Sequence, residues 1–600
     1  MRAMPAGAYV SVIGGIRPGA GGQTRVLLLR HRLFAEHRGI DVPILTFNPR
    51  SDYDRVRRSL HHDGLLLAHS RVLNMHEDLR SRDISALPAV APQPRPPATA
   101  HPDRTDRDAL PWRSTVTPLD GGRPWFEYAR ADGTIYSRTP VDAGEGIVEV
   151  LRPDGLAVDS WPTLGGMWRW WTRLATPPTG HVFILSDSRF VSRELAGIDD
   201  DRFFVLHQMH NPHTIGRRHW TSAISPTYAD AMEHLGRLDV LSSLTARQRD
   251  DVARRYGATD NLVVIPNPVE LPPVPEPRPA RRPGSIVVIA RLHSQKRLDL
   301  AVDAFAQLVR THPWARLDLY GSGPEREALE RQVADLGLGG SVTLHGHDPR
   351  AADELWSADV AWLTSAFEGY SLFLLEARAR ECPVVSFDVP YGPREQITDG
   401  VDGLLVPAGD TSALAAATGA LLEDRARLEE MRAPARAGAA AHGHERFLDD
   451  WAEAVAGAVT RKPCRTRIDA VTLRDVRLRL PGRDGRMRLS ARLTVDGVVP
   501  PDDTALVWQA YTDISPDPVD LPATVTHEAG TWTIVGDAAV ADLPASGRRT
   551  TVRLLLVSRN SAWRHELFVG DLAATGLLRR AARRVAGLLG RDRRHGTLEP

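Results

Sequence analysis

The sequence predicts an α/β protein in which two Rossmann-like domains follow one another and leave a cleft between them. Two patterns carry this prediction. Over two long regions, apolar runs typical of buried parallel strands alternate with helical stretches. Elsewhere, short alternating strands with tight turns predict an inserted antiparallel β segment and a C-terminal β-sandwich-like domain. A chain of 600 residues is long enough for several domains.

The first α/β region opens with AYVSVIGGI at 8–16, which has the composition of a buried strand. A glycine-rich turn, a helix in VLLLRHRLFAEHR and a second strand in IDVPILTF follow, and this order is typical of a parallel sheet. The pattern then stops and resumes with the strands HVFILSDS at 181–188 and FFVLHQMH at 203–210. We therefore predict a discontinuous N-terminal Rossmann-like domain, formed by 1–80 and 181–255.

The other domain boundaries follow changes in composition. A Pro-rich stretch comes first, and the strands of WFEYARADGTIYSRTP and GIVEVLRPDGLAVDSW, with their Asp-Gly turns, come after it. Strand and helix alternate again from SIVVIARL to GLLVPA, and short strands return from TLRDVRLRLPG to TTVRLLLVS. The predicted segments are 81–180 for the Pro-rich stretch and β insertion, 256–440 for the C-terminal Rossmann-like domain, 441–464 for a returning helix, 465–570 for an accessory β domain and 571–600 for a basic amphipathic tail.

The overall composition excludes several classes of protein. Lysine and arginine together number 75 and are balanced by 75 acidic residues, so no global positive field indicates a nucleic-acid partner. Cys382 and Cys464 are the two cysteines, which is too few for a disulfide framework and fits a reducing compartment. The sequence contains no apolar run of about 18 residues and no usable signal-peptide core near its start. We therefore expect a cytoplasmic protein.

Two cations after a predicted strand mark the first candidate site. Arg291 ends the strand SIVVIA, and Lys296 follows five residues later; it is one of two lysines in the chain, the other being Lys462. A compact ammonium retained in so arginine-rich a sequence is a candidate for a specific role. Because ligands of open α/β sheets bind at the carboxyl ends of strands, the pair is suited to a diphosphate.

Two glutamates flank a second candidate element, FEGYSLFLLE. Its Gly-Tyr-Ser-Leu corner opens a predicted helix, whose first N–H groups and partial positive charge can bind the same anion. Glu376 lies inside that helix, where its carboxylate can accept hydrogen bonds from ribose hydroxyls, and Glu368 lies just before it, in position to hold sugar hydroxyls. The corner residues assigned to donor binding are Gly369, Tyr370, Ser371 and Leu372.

Together these motifs resemble the signature of the retaining glycosyltransferases of family four, which have the GT-B fold. The two glutamates with seven residues between them match that family, and Arg291 and Lys296 match its donor-diphosphate pair. The stretch SFDVPYGPREQITDG and the β insertion resemble the subgroup that glucosylates poly(glycerol-phosphate) or poly(ribitol-phosphate) wall teichoic acid. The resemblance extends over 1–460 and is best over 284–410.

The resemblance implies further site residues in both domains. It places a first glycine-rich loop against the donor phosphates and a histidine at the end of an N-terminal strand near the donor sugar. Both His207 and His210 qualify for the histidine, and we choose His210 because a short polar stretch follows it. It also implies a loop beside the nucleobase. The catalytic assignments are His210, Arg291, Lys296 and Glu368; the added donor-binding assignments are Gly14, Gly15, Gly21, Gly22, Gly346 and His347.

The function implied by the resemblance is transfer of a hexose, with retention of its anomeric configuration, from a nucleotide diphosphate sugar to a poly(polyol-phosphate) acceptor. UDP-glucose is the implied donor, an anionic polymer or lipid-linked chain the implied acceptor, and neither a cofactor nor a metal is required. The insertion implies a homotrimer. Alternatives keep the fold but change the acceptor to a lipid, a capsular polysaccharide or a small molecule. A non-catalytic polymer-binding scaffold is the alternative of another class. The presence of Arg291, Lys296, Glu368 and Glu376 together argues against it, because a binding protein does not need all four.

The tail at 577–595 is the last candidate element. It contains seven arginines and one aspartate, with leucine, alanine and valine on the opposite helical face. A basic amphipathic helix is typical of contact with the inner membrane face or with an anionic polymer. The alternative is a helix packed on the preceding domain with its arginines in solvent.

Overall fold

The computed structural model describes residues 2–571 apart from 17–21, 103–109, 142–145, 217–218, 234, 257–259, 465–466, 480–484, 499–503, 513–516, 529, 540–542, 545–549 and 559–562. The chain forms two compact units. Unit 1 contains Met1–Pro212, Pro226–Ala246 and Val264–Ala456, and unit 2 contains His213–Ser225, Arg247–Val263 and Gly457–Pro600. The tail predicted at 577–595 and the glycine predicted at Gly21 lie outside the described residues.

The chain begins with an α/β lobe, which we call the N-lobe. Its first strand is buried along nearly its whole length, as the apolar run predicts. The first elements are β1 (Ala8–Ile13), α1 (Gly22–Arg38), β2 (Ile44–Thr46), α2 (Tyr53–His62), β3 (Val72–Asn74) and α3 (Met75–Ser81).

The insertion is an antiparallel sheet whose strands pair in the order in which they occur. They are β4 (Ala98–Pro102), β5 (Arg113–Pro118), β6 (Trp125–Ala129), β7 (Ile135–Pro140), β8 (Val148–Leu151) and β9 (Ala157–Trp161). Buried aromatic rings fill one of its faces, where the Tyr136 hydroxyl lies 2.9 Å from Nδ1 of His76 on α3. The predicted β insertion is therefore present, and an N-lobe helix packs against it.

The N-lobe then continues with α4 (Leu164–Leu174), β10 (Val182–Ser186), α5 (Arg189–Leu195), β11 (Phe203–Gln208), α6 (Ala229–Glu233), β12 (Val240–Ser243), α7 (Ala246–Tyr256) and β13 (Leu262–Val264). In the described part of the lobe the strand order is β13-β12-β11-β10-β1-β2-β3. The pairings from β12 to β3 are all parallel. The carboxyl ends of β1, β10 and β11 consequently meet at one edge of the sheet.

A second α/β lobe, the C-lobe, follows. Its elements are β14 (Ser285–Ile289), α8 (Leu298–Leu308), β15 (Arg316–Tyr320), α9 (Arg326–Asp335), β16 (Val342–Gly346), β17 (Val360–Leu363), α10 (Leu372–Ala379), β18 (Val384–Asp388), α11 (Pro393–Gln396), β19 (Gly403–Pro407), α12 (Thr411–Glu423), α13 (Arg425–Ala440) and α14 (His444–Arg461). The strands form a parallel sheet in the order β16-β15-β14-β17-β18-β19. Short 3-10 turns occur at Leu235–Arg237, Ser294–Lys296, Ala351–Trp356 and Lys462–Cys464.

The C-terminal strands form a sandwich within unit 2. They are β20 (Arg467–Arg479), β21 (Arg486–Val498), β22 (Thr504–Thr512), β23 (Val519–Leu521), β24 (Ala523–Glu528), β25 (Thr531–Ala539), β26 (Thr550–Ser558) and β27 (Trp563–Asp571). Two antiparallel sheets result, in the orders β20-β21-β25-β24 and β23-β22-β26-β27. One apolar core, including Leu489, Trp508 and Leu554, draws side chains from both sheets. The predicted β-sandwich-like domain is confirmed, as is the α/β class of the two lobes.

Candidate active site

The carboxyl edge of the C-lobe sheet holds a lysine–glutamate pair. The ammonium of Lys296, in the 3-10 turn after β14, lies 2.6 Å from Oε1 of Glu368, and the hydroxyl of Ser365 donates to the same oxygen at 2.6 Å. The side chains of Lys296 and Glu368 are 17% and 9% exposed. Arg291, by contrast, is exposed at the start of the same loop. The site thus combines a fixed, paired cation with an open one.

Two hydrogen bonds to backbone carbonyls hold this loop in place. The N–H of Ala366 donates to the carbonyl of Gln295 at 2.8 Å, and the Thr364 hydroxyl donates to the carbonyl of Lys296 at 3.0 Å. The segment before Glu368 is therefore fastened to the turn that carries Lys296. Because two separate stretches of backbone fix the two charged groups, their pairing does not depend on long flexible side chains alone.

The N-terminus of α10 is only partly available for an anion. Ser371 caps the helix by accepting a hydrogen bond from the N–H of Leu374, and its own N–H donates to the side chain of Gln396 at 2.9 Å. Within the described residues, the N–H groups of Leu372 and Phe373 donate to no protein acceptor. Two N–H groups and the positive end of the helix dipole thus remain for a ligand.

The N-lobe contributes a buried arginine–aspartate–histidine chain. Arg30 of α1 and Asp187, just after β10, are both fully buried and form an ion pair. Oδ1 of Asp187 also lies 2.7 Å from Nε2 of His210, whose side chain is 9% exposed. Burial by itself would raise the pKa of Asp187, but the charge of Arg30 and the hydrogen bond with His210 hold that pKa at about 2. Asp187 is therefore an anion that fixes one ring nitrogen of His210.

His210 and His207 occupy different surroundings. His207 is almost fully buried, with the Ser192 hydroxyl 2.7 Å from its Nδ1, and its pKa is lowered to about 4 by burial and, next, by the neighbouring His210. Both histidines line a cavity of about 320 Å³ in the N-lobe, together with Gly14, Gly15 and Phe190. The cavity lies at the carboxyl ends of β1, β10 and β11, which is where open parallel sheets bind ligands.

The two lobes touch through the predicted motifs. A Cβ atom added to Gly369 would overlap the backbone carbonyl of His210, so the glycine permits close approach of the two chains. Arg25 of α1 donates to Oε1 of Glu376 at 3.1 Å. These contacts place Gly369, the neighbour of Glu368, against the backbone of His210, so the two predicted motifs meet where the lobes touch.

The other predicted residues have varied positions. Gly14 has open space where a side chain would lie, whereas a Cβ on Gly15 would collide with Asn48. Gly22 begins α1, where an added Cβ would lie 3.6 Å from the side chain of Leu372, and Gly21 before it lies outside the described residues. Tyr370 is buried and its hydroxyl bonds the ring of His442 at 3.0 Å, which makes it a packing residue of the corner.

The predicted nucleobase loop lies at another strand end of the C-lobe. Gly346 ends β16 with a φ of +84°, a left-handed conformation that favours glycine, and the following His347 is exposed. The carbonyl of Gly346 accepts the N–H of Gly321, which follows β15. This loop therefore shares the sheet edge that carries Arg291.

Four polar residues of the site were not predicted: Arg30, Asp187, Ser365 and Gln396. Asp187 had a usable signal, because it directly follows a buried strand and polar residues at such ends line ligand sites. Arg30 had a weaker one, as a charge on the buried face of α1. Nothing in the sequence around Ser365 and Gln396 distinguishes them from ordinary polar residues outside the strands.

This cleft between two parallel-sheet lobes, with cations and a helix N-terminus on one side, is the architecture of GT-B glycosyltransferases. A crystal structure of a mutant of S. aureus TarM in complex with fondaparinux, α-GlcNAc-glycerol and UDP covers 76% of this chain and 100% of its own, with a TM-score of 0.59 and 17% identity. At 17% identity, this structural similarity establishes the fold and nothing beyond it.

Sequence comparison gives the family. Residues 276–438 match the model of glycosyl transferases group 1. A D-inositol 3-phosphate glycosyltransferase of Xylanimonas cellulosilytica is 31% identical over 289 residues, which are 43% of this chain and 68% of the relative. The chain belongs to the group 1 glycosyltransferase family.

A second relative has a name that corresponds to the subgroup expected from the sequence. The poly(glycerol-phosphate) alpha-glucosyltransferase of Bacillus subtilis is 28% identical over 250 residues, 41% of this chain and 36% of that protein. The chain spans between 24% and 36% of the length of the first curated relatives it matches. No helix in the described part of the chain is long and apolar enough to cross a membrane.

Proposed function

We propose that this protein is a retaining glycosyltransferase that moves glucose from UDP-glucose to a poly(polyol-phosphate) acceptor without a metal ion. The observation that carries the proposal is that Glu368, paired with Lys296, directly precedes Gly369, which packs against the backbone carbonyl of His210 from the other lobe. Two relatives support the acceptor class, because their names specify poly(glycerol-phosphate) and D-inositol 3-phosphate, both phosphorylated polyols.

In this proposal the C-lobe binds the donor. Arg291, Lys296 and the free N–H groups at the start of α10 neutralise the diphosphate as it leaves, which is the largest contribution in this kind of catalysis. Glu376 receives the ribose hydroxyls in place of Arg25, and Glu368 holds hydroxyls of the sugar. Lys296 already lies beside Glu368, so one pair of charges orients both the leaving group and the sugar.

The N-lobe then holds the sugar and the acceptor in the cavity lined by His210. The acceptor hydroxyl oxygen bonds to the anomeric carbon while the bond from that carbon to the diphosphate oxygen breaks. The proton of the acceptor passes to the departing phosphate oxygen on the same face, which retains the anomeric configuration. Asp187 keeps one nitrogen of His210 engaged, so the other nitrogen is the one that can meet substrate.

The test is transfer of radiolabelled sugar from UDP-glucose, and separately from UDP-GlcNAc, to synthetic poly(glycerol phosphate) in the presence of EDTA. We expect α-linked glucose on the polymer, identified by NMR. Lys296→Ala should lower turnover at least about 100-fold, as removal of a charge-stabilising donor does in other enzymes, while Lys462→Ala should keep it. Equal rates for the two lysine variants would refute the diphosphate assignment.

Rival acceptors and donors have separate outcomes in the same assay. Transfer to inositol phosphate but not to the polymer would indicate a small-molecule acceptor, and transfer to a lipid or a capsular polysaccharide would indicate those classes. Faster transfer from UDP-GlcNAc would exclude glucose; GlcNAc is the sugar in the ligand of the S. aureus structure. No turnover with any nucleotide sugar would leave the non-catalytic scaffold.

Two finer parts of the proposal concern partners. We propose a homotrimer through the β4–β9 sheet, and a peripheral position at the inner membrane face through 577–595. Light scattering of the full chain tests the first, since a monomeric mass would exclude it. Cosedimentation of full-length and 571–600-deleted protein with anionic vesicles tests the second, and equal binding of both would exclude it.

A further inference from the structure

The two outer faces of the C-terminal sandwich differ in character. On the β22–β26 sheet the outward Arg553 is fully buried, and its guanidinium donates to the carbonyls of Arg254 and Arg255 at 2.8 and 2.6 Å. It also lies over the ring of Trp220 and beside Gln509. All of these residues belong to unit 2. This face is therefore covered, and its arginine has a structural role.

The opposite face carries exposed arginines. On β20 and β21 the apolar side chains point to the core, while the alternate positions point outward. A left-handed residue, Asp475 with a φ of +51°, produces a bulge that keeps the second half of β20 in the same orientation. We call the outward set the arginine face: Arg474, Arg477, Arg479, Arg486, Arg488 and Arg492.

The register places like charges directly opposite one another. Arg474 pairs with Arg492, and Arg479 pairs with Arg488. Opposed like charges in a sheet are destabilising, so ordinary stability does not explain their arrangement. Among the described side chains, Asp475 bonds Arg492 and Asp537 bonds Arg486. Six arginines thus outnumber these two acidic partners, and the face is net positive.

From this arrangement we infer that the arginine face binds an extended polymer of repeating phosphodiesters. Successive outward residues on a strand are about 7 Å apart and neighbouring strands about 5 Å, so the guanidinium groups form rows that a flexible polyanion can follow. The face is open, so it does not enclose a small anion. Guanidinium groups bind phosphate through paired N–H donors.

The other outward side chains narrow the partner class. Ser490, Thr531, Thr533 and Val535 lie between or beside the arginines. Proteins that bind single-stranded nucleic acid stack bases on aromatic rings, and the described outward positions of β21 and β25 carry none. A phosphodiester chain without bases fits this surface better. The inference rests on the proposed function only in naming that chain as the acceptor polymer.

The experiment measures binding of labelled poly(glycerol phosphate) to the full chain without any donor. The test variant is Arg474→Gln/Arg477→Gln/Arg479→Gln/Arg488→Gln. Its matched control removes four exposed arginines elsewhere, in Arg58→Gln/Arg310→Gln/Arg331→Gln/Arg427→Gln. We expect the test variant to bind the polymer at least about 10-fold more weakly and the control to change its affinity less than about twofold. In the test variant, the slope of log affinity against log salt should fall by the equivalent of about three phosphate contacts. Equal losses in the two variants would overturn the inference.

Two further arms separate this inference from its rivals. Binding of a single-stranded DNA and of an anionic vesicle is measured in the same way. If either loses more affinity than the polymer does when the four arginines are removed, the assigned partner is wrong. Transfer from UDP-glucose to glycerol 3-phosphate should stay within about twofold of wild type in the test variant, because these arginines are outside the cleft motifs. If no variant turns over a nucleotide sugar, the proposed function fails while the binding result still decides the role of the arginine face.

Discussion

Replacing Asp187 by asparagine should destabilise the N-lobe more than any surface change, because it leaves a buried guanidinium without its counter-ion. Arg30 is fully buried, and its charged partner is Asp187; Gln208 at 3.2 Å and the ring of Trp451 supply the neutral contacts. Removing one partner of a buried pair costs about 3–5 kcal/mol. The change is nearly isosteric, so packing contributes little to that cost.

The depressed pKa of Asp187 indicates the same effect and gives its order of magnitude. The difference between the usual 3.8 and about 2 for Asp187 corresponds to about 2.5 kcal/mol in favour of the folded carboxylate. Because the folded pKa is the lower one, this stabilisation is present above pH 4 and is lost only as the pH falls towards 2. At neutral pH the asparagine variant lacks all of it and also leaves Arg30 unpaired.

Hydrogen exchange measures this loss locally, which avoids assuming a single unfolding step for a chain of several domains. We expect amides of β10 and β11 to exchange at least about 100-fold faster in Asp187→Asn, since about 1.4 kcal/mol corresponds to a factor of ten. Asp449→Asn, which breaks a partly exposed pair with Arg38, should change exchange less than about fivefold. Replacing the pair together, as Asp187→Asn/Arg30→Met, should recover at least half of the protection. Equal effects of the two single variants would refute the reasoning.

Three other changes test separate parts of the site. Gly369→Ala should lower kcat/KM at least about 10-fold because its methyl group would meet the His210 carbonyl, whereas Gly340→Ala, in open space, should leave it unchanged. Ser371→Ala should cost about 1 kcal/mol in thermal unfolding and raise KM for the donor, because the cap of α10 is lost; a changed kcat with constant KM would contradict this. The pKa of His207 falls to about 4 by burial, so the stability it contributes above pH 6.5 should decline as the pH falls from 6.5 to 4, and His207→Asn should flatten that decline in a urea titration.

The fold was predictable because its signals are local. Apolar runs, glycine turns and helical stretches each occupy a few consecutive residues, so both parallel sheets, the β insertion and the sandwich follow from short windows of sequence. The C-lobe motifs were also local: Lys296 and Glu368 each follow a strand of the same sheet, and parallel strands bring their ends together. Whether these residues act as assigned stays a prediction for the transfer assay.

What the sequence did not provide was the partner of each polar group. Arg30 and Asp187 are 157 positions apart, and nothing in either neighbourhood indicates the other. The same limit applies to the arginine face, whose alternation reads as an ordinary half-buried strand. Without the bulge at Asp475 the second half of β20 would present Val476 and Leu478 outward and its arginines to the core, since a slip of one residue reverses the faces. The left-handed conformation of Asp475 therefore keeps the second half of this strand in register with the first. Because Asp475 is the extra residue, deleting it would restore regular alternation with Val476 and Leu478 still inward, and polymer binding should stay within about twofold of wild type. A loss as large as that of the four-arginine variant would contradict this register.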